Sequence, residues 1–303
     1  MLPALQVIWT VMLIVTWPCG TILNSSIIAV YLSDWKKGVK LGECDQITLS
    51  MGCTNLLLQC FITLGVAFNS YGLHLPFAVS LAIGAVLLFS IYFSFWLTAG
   101  LSVCYYLRLA NPLPKFFLQL KRRLSRIVTP LLLWSVAISF TVTFSNIILY
   151  TGTNQNLTIL YHNNKSNNIT TNDHYIISSV IFMILDGAFG IGFPTLITSI
   201  CILLSLISLL RHIRRMKQNP QFGNTQQKTL IGACRTMILL MALNSILFLV
   251  ILRSMLPPYN VETIWQTVMF SCVMLNPSGQ AVVLIFGNSK LLSAWTKTLV
   301  PQG

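Results

Sequence analysis

Seven apolar runs separated by polar segments organise this chain, at roughly 4–31, 46–68, 76–107, 127–150, 176–210, 231–252 and 263–286. A helix needs about 20 apolar residues to cross the hydrocarbon core of a bilayer, and each run is long enough. In hydrocarbon the backbone must bond to itself, which leaves helices or a closed barrel. These runs are too long and too evenly apolar for ten-residue alternating strands. The pattern predicts an all-α membrane protein, a single seven-transmembrane-helix bundle over 1–303.

The polar segments alternate in charge. Of the nineteen Lys and Arg residues, all but Lys165 and Arg253 fall in segments on one side of the predicted membrane. By the positive-inside rule that side is cytoplasmic, so the N-terminus is expected to be extracellular and the C-terminus cytoplasmic. Residues 151–175 then form the one long extracellular segment, the second outer loop. Three acceptor sequons in it, at Asn156, Asn164 and Asn168, fit that side and predict glycosylation.

With 55% hydrophobic and 8% charged residues, the chain is excluded from the soluble class, which carries about 25% charged residues. The net charge of +13 borders the membrane, where it meets anionic lipid and acidic partners, and no nucleic-acid partner is expected. The first run lacks a basic n-region and an A-x-A site, so it reads as the first span and not as a removed leader. Cys19, Cys53, Cys60, Cys104, Cys201, Cys234 and Cys272 sit in or near spans, and Cys44 sits in an inner loop. None lies in 151–175, so no disulfide is expected to tie that loop to the third span, and no metal spacing is present. Asn219-Pro220 and Gly223-Asn224 are turn signals that end the fifth helix.

Four groups of residues carry a resemblance. Gly20 and Asn24 precede Asp34-Trp35-Lys36 and Lys40-Leu41 with Asp45. The third run holds Phe93-Ser94, Trp96-Leu97, Leu101-Ser102-Val103 and Tyr105-Tyr106-Leu107-Arg108, followed by Ala110-Asn111. The fifth ends in Ser205-Leu206, Arg211-His212 and Met216. The seventh holds Pro277-Ser278-Gly279, Leu284-Ile285 and Gly287-Asn288-Ser289-Lys290-Leu291. In this order and spacing they resemble the type 2 (bitter) taste receptor family of G-protein-coupled receptors, over nearly the full chain. The chain departs from that family at Asn55, where an Arg is usual, and at Leu230 and Gln280, where His is frequent. The related vomeronasal type 1 pheromone receptors share the architecture, but their usual loop disulfide has no counterpart in the cysteine-free outer loop.

The resemblance implies a plasma-membrane receptor that binds a small bitter agonist from outside and activates a heterotrimeric, gustducin-like G protein inside. It places ligand contacts in the outer half of helix three, including Leu87 and Ile91, and at Met269. Helical spacing adds Leu88 and Phe95 on the same stretch. Asn244, Leu247 and Phe248 in helix six, with Trp265 and Gln266 in helix seven, complete a mostly apolar cavity of the usual small-molecule kind. Asp186 is the one acid well inside a span. It pairs with a cationic ligand, or as a protonated or hydrogen-bonded group it ties helix five to a neighbour. The resemblance also places part of the G-protein contact at the inner end of helix five, at His212 and Arg215. Arg108, Arg126, Arg235 and Lys290 are expected on the same inner face.

Other chemistries lack their residues. An intramembrane aspartyl protease needs two carboxylates, and only Asp186 qualifies; the metalloprotease and phosphate-loop motifs are absent. A retinal pump needs a Lys in the last span, and 263–286 has none. Neither enzyme activity nor a cofactor is expected. A small membrane transporter stays as the weaker alternative, since the paired half-repeats with broken helices that such folds carry are not visible.

Overall fold

The computed structural model describes residues 3–70, 75–109, 124–162, 184, 187–218, 224–255 and 263–299. Side chains are described over a narrower range. The principal helices are α1 (Pro3–Lys36), α2 (Glu43–Ser70), α3 (Phe77–Leu109), α4 (Leu124–His162), α5 (Phe193–Gln218), α6 (Asn224–Met255), α7 (Thr263–Gly287) and α8 (Ser289–Leu299), with a π-helical turn at Gly187–Gly192 leading into α5. Seven of these segments are long and apolar enough to cross a membrane, and among the described residues no strand occurs. The seven-helix expectation holds.

Helix α3 packs against α2, α4 and α5, with a lighter contact to α6; α1 packs on α2 and α7, and α6 on α7. Its inward face is written in small polar residues. Ser90, Ser94, Thr98 and Ser102 recur every four residues and are all buried, while Val79 and Phe77 are exposed. In α4 the same rule aligns Ser135, Ser139 and Thr143 inward and leaves Leu133, Trp134, Phe140 and Phe144 exposed. The solvent around these helices is hydrocarbon, so burying apolar groups gains little and packing by small and hydrogen-bonding residues decides which face turns in. Several of these hydroxyls bond to the carbonyl four residues back, as Ser90 Oγ does to Val86 O at 2.7 Å and Thr98 Oγ1 to Ser94 O at 2.9 Å.

The apolar interior divides along the bundle axis. A cluster of Tyr31, Ile47, Met51, Leu101, Leu107, Leu240, Leu284 and Leu291 fills the end where the basic segments lie. A second, of Leu58, Ile62, Ile91, Tyr92, Phe95, Ile191, Leu247 and Met274, fills the opposite end. That opposite end is the one the charge distribution assigns to the outside.

Helix ends follow local chemistry. At the end of α1, Gly38 takes φ 75°. Val39 N donates to Asp34 O at 3.0 Å and Gly38 N to Trp35 O at 3.0 Å, the paired bonds of a Schellman cap whose left-handed residue favours glycine. The α5 helix stops at Gln218, just before Asn219-Pro220, and α6 opens at Asn224, both where the turn signals stand.

Three features differ from the sequence reading. The α4 helix continues through His162, so the first part of the expected outer loop 151–175 has a helical backbone that includes Asn156; no proline stands between Pro130 and Pro194 to stop it. The expected fifth span is interrupted near its start by the π turn. Pro194 has no N–H and its ring crowds the carbonyl four residues back, that of Gly190, and the wider turn sits where that conflict falls. Beyond the seventh span, one further helix, α8, was not expected. Leu291 is buried and Trp295 half-buried against the core, while Ser293, Thr296 and Lys297 are exposed, and the helix packs on α7 and α1.

Candidate functional site

The structure gathers most of the sequence-predicted ligand residues at the far end. Leu87, Leu88, Ile91 and Phe95 of α3 and Leu247 and Phe248 of α6 belong to one apolar cluster there, closed by Met274 from α7 and Ile191 from the π turn. Ile91, Phe95 and Leu247 are buried, while Leu87, Leu88 and Phe248 are half-buried. Met269 is half-buried on α7 outside this cluster. Trp265 stands at the start of α7 under the Arg253 guanidinium, 5.9 Å from the ring centroid, and so links the far ends of α6 and α7. Asp186, with both of its alternative roles, and the side chain of Gln266 lie outside the described residues.

Beneath this cluster lies a buried amide network that sequence reasoning only partly identified. Asn244 does not stand alone as a ligand anchor: Nδ2 donates to Thr98 Oγ1 at 2.9 Å, and Oδ1 accepts from Gln280 Nε2 at 3.0 Å. Gln280 is fully buried. Its Nε2 also stands 3.0 Å from Ser94 Oγ and 2.9 Å from Asn276 Oδ1. An amide nitrogen has two hydrogens, so three acceptors within 3.0 Å leave one unserved in any single arrangement. Ser94 Oγ, 3.2 Å from Gln280 Oε1, has the option of donating to it. Helices α3, α6 and α7 therefore meet at one side chain.

The second departure from the family pattern, Asn55, sits in a separate network joining α1, α2 and α7. Asn55 Nδ2 donates to Asn24 Oδ1 at 3.3 Å, and Asn24 Nδ2 donates to Gly20 O at 2.9 Å and Pro277 O at 3.3 Å. One turn further along α2, Gln59 Nε2 donates to Thr16 O at 2.8 Å, and Ser278 Oγ donates to the same carbonyl at 3.2 Å. Asn55 Oδ1 and Gln59 Oε1 are buried without a hydrogen-bond partner. A side chain on Gly20 would collide with Gln59 Oε1 and Ser278 Oγ, so a larger residue at this crossing must displace both side chains. Leu230 has a helical backbone at the start of α6, and its side chain is outside the described residues.

Sequence reasoning also missed Tyr92. Its hydroxyl lies 3.3 Å from Asn146 Nδ2 of α4, and its ring packs under the π turn so closely that a Cβ on Gly190 would stand 2.8 Å from it. Asn146 was legible only as a polar residue inside an apolar run.

At the basic end, two of the six residues expected to face a G protein already have partners within the bundle. Arg108 Nη2 is 3.3 Å from Glu43 Oε2, with about half of the Arg side chain still exposed. Lys290 pairs with Asp34 and lies over the Tyr31 ring at 5.1 Å, while Asn288 Nδ2 donates to Tyr31 Oη at 3.0 Å and Asn288 Oδ1 accepts from Lys290 N at 3.0 Å. These contacts fasten the start of α8 to α1. Arg235 is exposed on α6. The side chains of Arg126, His212 and Arg215, and the sequons at Asn164 and Asn168, lie outside the described residues, as does the Asn156 side chain.

Residues 1–302 match the family model described as taste receptor protein (TAS2R). The chain belongs to the type 2 taste receptor family. Taste receptor type 2 member 39 of Macaca mulatta is 25% identical over 300 residues, covering 97% of this chain and 86% of that protein. Member 102 of Rattus norvegicus is 28% identical over 299 residues, 97% of this chain and 88% of the relative. Member 40 of Gallus gallus is 28% identical over 279 residues, 89% and 87%. As a type 2 taste receptor the protein is a multi-pass membrane protein and a G-protein-coupled receptor, and it is not an enzyme. Family membership decides against the vomeronasal and transporter alternatives.

Proposed function

We propose that this receptor binds small, largely apolar bitter compounds among the helices at the far, extracellular end and activates a gustducin-like heterotrimeric G protein at the basic, cytoplasmic end. The observation that carries this reading is the placement of the apolar cluster of Leu87, Leu88, Ile91, Phe95, Leu247 and Phe248 against the buried network of Gln280, Asn244, Ser94 and Thr98. Apolar walls with few convergent polar groups are the usual composition of a small-molecule site. Asn244 supplies the polar floor, Trp265 and Met269 the α7 side, and Asp186 and Gln266 complete the set proposed from the sequence.

The shared hydrogens of Gln280 supply the two-state element. Trading one acceptor for another shifts α3, α6 and α7 relative to one another at little net cost. An agonist that favours one arrangement shifts the population towards it. At the opposite end the exposed Arg235, the half-exposed Arg108 and Lys290, and Arg126, His212 and Arg215 form the proposed G-protein face, next to anionic lipid.

The deciding experiment is a calcium-mobilisation screen of cells expressing this chain with a promiscuous G-protein α subunit, against a panel of bitter small molecules. Responses absent from mock-transfected cells are expected. Silence across the panel with surface expression confirmed would overturn the reading.

A further inference from the structure

A cleft of about 360 Å³ opens between the first three turns of α3 and the far half of α4, apart from the cavity proposed for the agonist. Its α3 wall runs through Phe77, Ser80, Leu81, Gly84, Ala85 and Leu88, the three- and four-residue spacing of one helix face, and its α4 wall is Asn146 and Ile147. Of the proposed agonist residues whose side chains are described, only Leu88 borders it. The space is real at Gly84, where an added Cβ would meet nothing within 4 Å.

The position of the cleft says what reaches it. Phe77 is 57% exposed, and Ile148, next to the lining residue Ile147, is 55% exposed on the same α4 surface that presents Phe140 and Phe144. These residues stand on helices long and apolar enough to span a membrane, so a mouth on this flank would open to hydrocarbon. At roughly 30 Å³ per water-sized group, 360 Å³ holds about a dozen non-hydrogen atoms. Among the described residues the walls are apolar apart from the Ser80 hydroxyl and the Asn146 amide, and none of these lining side chains is charged. An occupant matched to this lining is neutral and apolar, with one hydrogen-bonding group.

Its effect would travel through Asn146. The Asn146 amide donates to Val142 O at 3.2 Å and stands 3.3 Å from the Tyr92 hydroxyl. Tyr92 in turn packs against Gly190 of the π turn and belongs to the same apolar cluster as Ile91 and Phe95. A molecule that draws the Asn146 amide towards itself loosens the hold on Tyr92 and changes how α5 sits at the far end.

We infer that the α3–α4 cleft is a second binding site, entered from the bilayer, for a neutral amphiphile of about a dozen non-hydrogen atoms with a single hydroxyl, such as a medium-chain alcohol. Binding does not rest on which agonist the receptor takes.

The test is photolabelling of the full-length receptor in phosphatidylcholine nanodiscs with a diazirine-bearing medium-chain alkanol, mapped by peptide mass spectrometry. Saturable labelling of residues 77–88 and 146–147, competed by excess decanol, is expected. Gly84→Leu fills the cleft and should cut that labelling at least fivefold; it replaces a helix-interior glycine with a better helix former, so folding is retained. Asn146→Ala should weaken it to a smaller degree. Labelling that does not saturate, or that spreads evenly over Phe140 and Phe144, reports bulk lipid partitioning only and overturns the proposal, as does unchanged labelling in Gly84→Leu. Since the readout is labelling and not signalling, its failure is distinguishable from failure of the agonist reading.

Discussion

Gln280 shows how much one side chain can hold in a bundle surrounded by hydrocarbon. It is fully buried and within hydrogen-bond distance of Ser94 on α3, Asn244 on α6 and Asn276 on its own helix. Gln280→Leu is close in volume but strands Asn244 Oδ1 and Asn276 Oδ1. Orphaning buried acceptors costs about 1–3 kcal/mol each at the upper end, and double-mutant cycles in membrane helices average nearer 0.6 kcal/mol. A loss of roughly 1–2 kcal/mol is expected, read as a lower unfolding midpoint in detergent together with altered basal calcium signalling. An unchanged midpoint and unchanged basal signal would mean that the network contributes no net tie. Positions 55 and 280 were visible in the sequence only as departures from a family pattern. What they bond to was not, because a Gln in an apolar run carries no mark of which helices will meet it.

At the scale of elements, the inward faces of α3 and α4 were readable in principle from Ser90, Ser94, Thr98 and Ser102 and from Ser135, Ser139 and Thr143. The apolar residues give no such guide, since Phe140 and Phe144 are exposed and Phe95 is buried on equally greasy helices. The π turn was less legible still. Glycines stand at 187, 190 and 192 before Pro194, but only the packed structure shows Tyr92 filling the space that Gly190 leaves open. Gly190→Val places its Cβ 2.8 Å from the Tyr92 ring, too close to be accommodated without moving α3 or the turn. Overpacking of this kind costs about 1–3 kcal/mol, so the agonist EC50 is expected to shift by roughly tenfold or more, with surface expression measured alongside. Tyr92→Phe, which removes the hydroxyl and its contact to Asn146 but keeps the ring, should move it far less. Equal effects of the two variants would mean that the hydroxyl, and not the close packing, governs this end. Helix α8 was missed for a different reason: Leu291, Leu292 and Trp295 make a short amphipathic stripe that a search for long apolar runs passes over.

For the whole molecule, the charge distribution makes the most direct prediction. An epitope tag at the N-terminus should be stained on intact cells and one at the C-terminus only after permeabilisation. The reverse pattern would exchange the proposed agonist and G-protein ends. The ion pairs Arg108–Glu43 and Lys290–Asp34 stand at the basic end, so two of the residues that make that end basic also fasten neighbouring helices there. The sequence by itself determined that the chain crosses a membrane seven times, which end is basic and which family it belongs to. Those properties follow from hydrophobic length, charge position and local motifs. Only the tertiary structure decided that Asn244 and Gln280 share one hub, that Tyr92 joins α4 to the π turn, that Arg108 and Lys290 are partly engaged, and that a cleft lies between α3 and α4. Each depends on which helix faces which. In hydrocarbon the apolar pattern barely encodes that choice, because the outside of the bundle is as apolar as its core.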